Sequence, residues 1–230
     1  MSRPDVQGRV MVVVGLGRSG CAAGAMAWID EGQLWLRRGE TSNALLPVAD
    51  LALLSPPNLL NAAAVAVAAA EFVEDDGILA EGLRTFGGLA HRHQLVGRLG
   101  GVRFVNDTKA TNVHAVCAGL DGYPSPVVLI AGGSGKGEDY RPLREVMGAV
   151  RHVVTLGQEG PAIGEALAGA APVTPAADMT EAVATAARLA RPDATVLLSP
   201  ACASFDMFGS YRERGEAFAA AARALGARED

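Results

Sequence analysis

From Gly101 onward, short apolar runs take turns with helical stretches, and that rhythm limits the fold more than any other feature of the chain. Val102 to Val105, Val127 to Ala131, His152 to Leu156 and Thr195 to Ser199 read as strands, with Pro172 to Thr174 as a brief addition. His114 to Leu120, Tyr140 to Val150, Gly160 to Leu167, Asp178 to Ala190 and Tyr211 to Leu225 read as helices. Strands separated by helical crossovers pair in parallel through right-handed connections, and such a sheet is covered on both faces. The expected fold class of residues 101–230 is therefore α/β, a Rossmann-like, doubly wound, mostly parallel sheet.

Before Gly101 the order is irregular. Val10 to Val14 reads as a buried strand, Cys21 to Ile29 as a short helix, Gln33 to Arg37 as a strand and Arg38 to Asn43 as a turn. Ser55-Pro56-Pro57 breaks the chain, and Asn58 is a candidate cap for a helix running to Phe72. Gly77 to Phe86 is a second helix, stopped by Gly87-Gly88. The reading divides the chain at residues 1–26, 27–100 and 101–230.

In an open parallel sheet, ligands sit beyond the carboxyl ends of the strands. Three polar loops fall there: Asn106 to Asn112, Gly132 to Gly137 and Ser199 to Asp206. The topology brings Lys109, Thr111, Lys136 and Ser204 to one edge. Ammonium groups, hydroxyls and glycine-rich backbone N–H groups there suit an anion or a dicarboxylate. Singly, each has a plain explanation: a solvated lysine, a turn that needs glycine, small residues that pack closely. Their convergence on one edge favours a site. The Gly132 to Gly137 loop is not a phosphate-binding P-loop, since G-x-x-x-x-G-K-[ST] needs glycine at Ile130 and a hydroxyl at Gly137. Gly15 to Gly20 does match G-x-G-x-x-G after a strand, with Glu40 further on. A small dinucleotide-binding oxidoreductase rests on that motif alone, and a plain glycine turn explains it as well.

Several function classes are disfavoured. A net charge of -5 with no basic run speaks against nucleic-acid binding. Cys21, Cys117 and Cys202 are odd in number and lack C-x-x-C spacing, which suggests reduced thiols. Met1 to Gln7 has no apolar leader core, and the longest apolar run, Ala62 to Ala70, is too short for a membrane span. A cytoplasmic chain is expected. His91 and His93 alternate like a strand pair of ligands but lack a third, so no metal site is expected; Cys202 has no general base in sight and reads as a buried thiol.

Read in order, Asn58-Leu59-Leu60-Asn61-Ala62, His91-Arg92-His93-Gln94, Val105 to Asn112, Ile130 to Gly137 and Leu198 to Asp206 resemble the Mur ligase family, in particular its D-glutamate-adding members. The resemblance implies an ATP- and magnesium-dependent amide-forming ligase of peptidoglycan synthesis, with D-glutamate and UDP-N-acetylmuramoyl-L-alanine as substrates. It implies that Asn61, Arg92 and Asp107 contact ATP, and that Thr111, Lys136, Ser204 and Tyr211 hold D-glutamate. Lys109 and Arg92 take catalytic roles. Val10 to Gly24 resembles the first strand and loop of the family's uridine-nucleotide domain, which places Leu16, Gly17, Arg18 and Ser19 on UDP. The chain departs from the pattern near Cys21 to Ala27, where it passes into what resembles the tail of the central domain. It carries neither the P-loop nor the central-domain metal ligands, and Pro57 stands where the family has His. Residues 1–100 thus read as remnants of the N-terminal and central domains. Two readings follow: a ligase, monomeric or with a partner chain supplying its ATP machinery, or a module that binds D-glutamate or nucleotide and catalyses nothing alone.

Overall fold

The computed structural model describes residues 10–12, 25–51, 56–121, 123–135 and 137–229. Leu16, Gly17, Arg18, Ser19 and Lys136 lie outside the described residues, as does the Gly15 to Gly20 motif. The chain divides into two compact units, Met1–Gly88 and Leu89–Asp230.

In the first unit, β1 (Val10–Val12), β2 (Met26–Asp30), β3 (Gln33–Arg38) and β4 (Thr41–Pro47) form an antiparallel sheet in that order. The expected helix over Cys21 to Ile29 is corrected: Met26–Asp30 is a strand. Its period is two, with Ala27 buried and Trp28 stacked on its cross-strand neighbour Trp35, ring centroids 6.0 Å apart. Glu31 and Gly32, both at positive φ, make the tight reversal into β3. The expected turn over Arg38 to Asn43 shrinks to residues 39–40, because the polar, exposed start of β4 resembles a loop in composition. Helix α1 spans Pro56–Ala70 and α2 spans Asp76–Thr85. The prolines enter the first turn of α1, where no N–H partner is required, so Asn58 lies inside the helix and is not its cap. Asp75 caps α2 by accepting from Gly77 N at 2.7 Å. Leu34, Leu36, Leu46, Ala63, Ala66 and Val67 form this unit's core.

The second unit is built on β5 (Gln94–Leu99), β6 (Val102–Asn106), β7 (Val127–Gly132), β8 (Val150–Leu156), β9 (Val173–Pro175) and β10 (Thr195–Leu198), in the order β5-β6-β10-β7-β8-β9. All neighbours pair in parallel except β5 with β6. Four α-helices accompany them: α3 (Val113–Leu120), α4 (Gly160–Ala166), α5 (Met179–Leu189) and α6 (Tyr211–Ala224). The expected doubly wound, mostly parallel α/β sheet is what residues 89–230 form.

Two elements differ from expectation. Strand β5 is an antiparallel edge whose apolar pattern is broken by Gly97 and Arg98. A Cβ on Gly97 would lie 2.9 Å from Arg228 O, so the strand needs glycine at that point. Arg141–Ala149 is a tighter 3-10 helix in place of the expected α-helix. The sheet is buried on both faces by alternation. In β7, Val127, Leu129 and Ala131 join the cluster that includes Val113, Val116, Leu143 and Ile163, while Val128 and Ile130 join Val183, Ala186, Phe218 and Ala222. No helix among the described residues is long and apolar enough to cross a membrane.

Candidate functional site

Strand β10 lies between β6 and β7, so the loops leaving the carboxyl ends of these three strands are neighbours. Backbone bonds join them. Asp107 N donates to Leu198 O at 2.8 Å, Gly132 N to Pro200 O at 2.9 Å, and Ala201 N to Ala110 O at 3.0 Å. Ser134 and Ala203 exchange both backbone bonds, and Phe205 N donates to Ser134 Oγ at 3.2 Å. The glycines after β7 have a steric cause. Gly133 sits at φ 137, and a Cβ there would lie 2.1 Å from Ala203 O.

Sequence reading missed the residue at the centre. Arg214, on α6, is 1% exposed and is the largest fully buried side chain described. Its Nε donates to Thr108 Oγ1 at 2.9 Å. Its Nη2 donates to Thr108 O at 3.1 Å and to Cys202 O at 3.0 Å, and its Nη1 to Ala203 O at 3.0 Å and Gly132 O at 3.4 Å. Burial lowers its pKa to about 10, which leaves it protonated at neutral pH. An arginine in an alanine-rich helix ordinarily reads as surface. The only sequence signal was the neighbouring Gly215, whose missing side chain leaves room for His91, Asn106 and Thr108.

Around this frame stand the expected residues. The Lys109 ammonium lies 4.0 Å from the centroid of the Tyr211 ring, a cation–π contact. Hydrogen bonds from Arg212 and Lys109 lower the Tyr211 phenol. Thr108 Oγ1 donates to Tyr211 O at 3.0 Å, tying the start of α6 to the same loop. Thr111 is half-buried just before α3, whose cap is Asn112 accepting from Ala115 N at 2.8 Å. Ser204 is buried on the β10 loop. Lys109 and Tyr211 therefore touch, Thr111 shares the Lys109 loop, and Ser204 lies on a loop joined to it by the Ala201–Ala110 bond. Asn61 is exposed on α1 of the first unit.

Asp107 turns partly inward. One carboxylate oxygen accepts from His93 N at 3.2 Å and the other from Ser199 Oγ at 3.0 Å. Burial pushes its pKa up to about 6, against the lowering effect of these bonds and of the Arg92 charge. His93 Nε2 lies 3.1 Å from Tyr123 Oη, and burial lowers its pKa to about 4. His91 Nδ1 lies instead 3.1 Å from Asn106 Nδ2. The strand-like alternation of the two histidines is corrected: both are turn residues at positive φ, and their rings engage different partners. Arg92 between them is exposed. Among the described residues no three His, Cys, Asp or Glu side chains gather as metal ligands. Cys202 Sγ lies 3.2 Å from Tyr140 Oη, and burial pushes its thiol up to about 11, far from a reactive thiolate. The edge thus offers cations, hydroxyls and backbone donors suited to an anion.

Residues 91–202 match the family model described as Mur ligase, glutamate ligase domain. The chain is 47% identical over 191 residues to the UDP-N-acetylmuramoylalanine–D-glutamate ligase of Bordetella pertussis, covering 82% of this chain and 38% of that protein. It is 43% identical over 236 residues to the enzyme of the same name from Aromatoleum aromaticum, covering 98% and 50%. The chain spans about half the length of these relatives, or less. Among solved structures, the bifunctional folylpolyglutamate synthase/dihydrofolate synthase of Yersinia pestis matches with TM-score 0.59 at 19% identity, over 88% of this chain and 45% of that one. The UDP-N-acetylmuramate-alanine ligase of Thermotoga maritima matches with TM-score 0.57 at 13% identity, over 84% and 44%. At such identities these two matches establish a shared fold.

Proposed function

We infer that a chain whose residues 91–202 form a Mur ligase glutamate ligase domain uses the loop edge of its six-stranded sheet to bind the amino acid that its relatives' names specify, D-glutamate. The observation that carries this reading is the contact of Lys109 with Tyr211, with Thr111 on the same loop as Lys109 and Ser204 on a loop bonded to it through Ala201 N and Ala110 O. A dicarboxylate needs cations and hydroxyls held in fixed positions, and this edge supplies Lys109 and two hydroxyls on a braced backbone. Lys136, on the loop after β7, adds a second ammonium group by its place in the sequence. Gripping D-glutamate by its carboxylates leaves its amine free to act as the nucleophile of amide formation.

The reaction this serves is the cytoplasmic, ATP-driven joining of D-glutamate to UDP-N-acetylmuramoyl-L-alanine in peptidoglycan synthesis. In it, Arg92 offsets phosphoryl charge and Asp107, ionised above pH 6, contacts the nucleotide. ATP and magnesium would supply the activation of the alanyl carboxylate, the acyl donor that the D-glutamate amine attacks. Among the described residues no three His, Cys, Asp or Glu side chains gather to hold magnesium. The sequence also lacks G-x-x-x-x-G-K-[ST]. The isolated 230-residue chain is therefore a binding module, and it forms no UDP-muramoyl dipeptide from ATP. Phosphate release that depends on both D-glutamate and the UDP substrate would overturn that statement. Calorimetric titration of the folded chain should give heat with D-glutamate and less with L-glutamate; a flat trace for both defeats the binding reading.

A further inference from the structure

We propose that Arg214 is the positioning residue of this amino-acid site, acting through the three loops it joins and not by touching the ligand; the proposal rests on the loop edge being the D-glutamate site. Burying a guanidinium is costly unless its N–H groups find partners, and a buried charge normally has a carboxylate beside it. Here all five hydrogen bonds end on uncharged oxygens: Thr108 Oγ1 and the carbonyls of Thr108, Gly132, Cys202 and Ala203. Those oxygens belong to the loops after β6 and β10 and to Gly132, the last residue of β7, from which the third loop departs. Four of the five are backbone atoms, so the side chain fixes the course of the main chain itself.

The neighbours show how closely the loops nest on it. A Cβ on Gly133 would sit 2.9 Å from Arg214 Nη1, and the Ser134–Ala203 bridge lies directly beyond. Gly215, the next residue, lets α6 approach near enough for the guanidinium to reach. A planar fork of five donors suits carbonyls arriving from three directions. A lysine has three donors on a point charge and cannot serve them all. The arrangement also leaves a positive charge behind a site for a dicarboxylate. The Asp206 carboxylate, whose charge acts on Arg214, is itself held by Gln158 N at 2.8 Å on the loop after β8. Arg214 thus orders the edge that Thr111, Ser204 and Lys109 occupy and biases it toward anions.

The test uses the full chain, with D-glutamate as titrant and amide NMR as the fold readout. Arg214→Ala and Arg214→Lys should keep the amide pattern of β7 and β8 and weaken D-glutamate binding about tenfold or more, since several buried carbonyls lose their donors. Millimolar guanidinium should restore binding to Arg214→Ala while leaving the wild type unchanged, a rescue that a general loss of stability would not show. Affinity within twofold of wild type in Arg214→Ala, or no rescue in a folded sample, overturns the proposal. Thr108→Val removes one acceptor of Arg214, together with the hydrogen bond to Tyr211 O, and serves if the arginine variants do not fold. It should weaken binding severalfold, and unchanged affinity counts against the idea. A wild-type chain that gives no heat with D-glutamate defeats the site reading instead. In that event the amide shifts of Gly133, Ser134 and Ala203 still judge Arg214. Changes in Arg214→Lys confined to the three loops support it, and changes spread through the sheet overturn it.

Discussion

Asp107 and His93 are joined by one hydrogen bond, and the same burial drives their titrations in opposite directions. The folded pKa of Asp107, about 6, is above its ordinary 3.8. The native state therefore keeps a proton that the unfolded chain has released, and stability from this group falls as pH rises through that interval. The folded pKa of His93, about 4, is below its ordinary 6.5. The unfolded chain takes up a proton that the native state refuses, so stability from His93 falls as pH drops through its interval. The two slopes oppose each other between about pH 4 and pH 6. Urea denaturation across that range should show His93→Gln losing more stability than wild type as pH rises, and Asp107→Asn gaining it. Parallel slopes in all three proteins would refute the opposed titration. Glycines give a second residue-scale test. Gly39 needs positive φ but has open space around it, so Gly39→Ala should cost about 1 kcal/mol. Gly133 needs positive φ, and a Cβ added there would collide with Ala203 O, so Gly133→Ala should cost more than about 2 kcal/mol by the same measurement.

Among the elements, local chemistry and tertiary clasps act together. Arg38 ends β3 and reaches two helix ends at once. It donates to the Ala70 carbonyl at the close of α1, to Val73 O at 2.8 Å, and to Asp76 Oδ1 at 3.0 Å in the first turn of α2. Asn43 supports the same carboxylate from β4, at 2.9 Å. Arg38→Met should therefore destabilise the first unit by about 2 kcal/mol, charged hydrogen bonds being the stronger kind. Denaturation followed by the fluorescence of Trp28 and Trp35 would measure it, and a change below about 0.5 kcal/mol would show the clasp to be incidental. The sequence shows β7, β8, β10 and the helices α5 and α6 plainly, because a strand buried on both faces is a continuous apolar run and an amphipathic helix repeats. It hides β5, where Gly97 is dictated by the distant Arg228, and β2, whose run is equally compatible with a helix until its partner strand is known. The same distinction holds at the site. Lys109, Thr111 and Ser204 are legible because polar residues in a loop after a strand have few structural duties. Arg214 is not, because its role depends on three loops that converge only in the fold.

On the scale of the whole molecule, the two units carry separate cores, and the residues of the loop edge come from one of them. His91, Arg92, Asp107, Lys109, Thr111, Ser204, Tyr211 and Arg214 all belong to Leu89–Asp230, while Asn61 belongs to Met1–Gly88. On the proposed reading, D-glutamate is held by the braced loops of the second unit alone, and the nucleotide contact expected of Asn61 belongs to the first. The chain made from Leu89 to Asp230 should therefore fold and bind D-glutamate within about twofold of the full chain, a difference of less than 0.5 kcal/mol in binding. Its affinity for ADP should fall by more than that, because one of the proposed contacts is gone. Paired titrations of the two chains would decide the matter. Loss of D-glutamate binding in a folded short chain would mean that the first unit completes the amino-acid site, and equal ADP affinities would remove Asn61 from the nucleotide contacts.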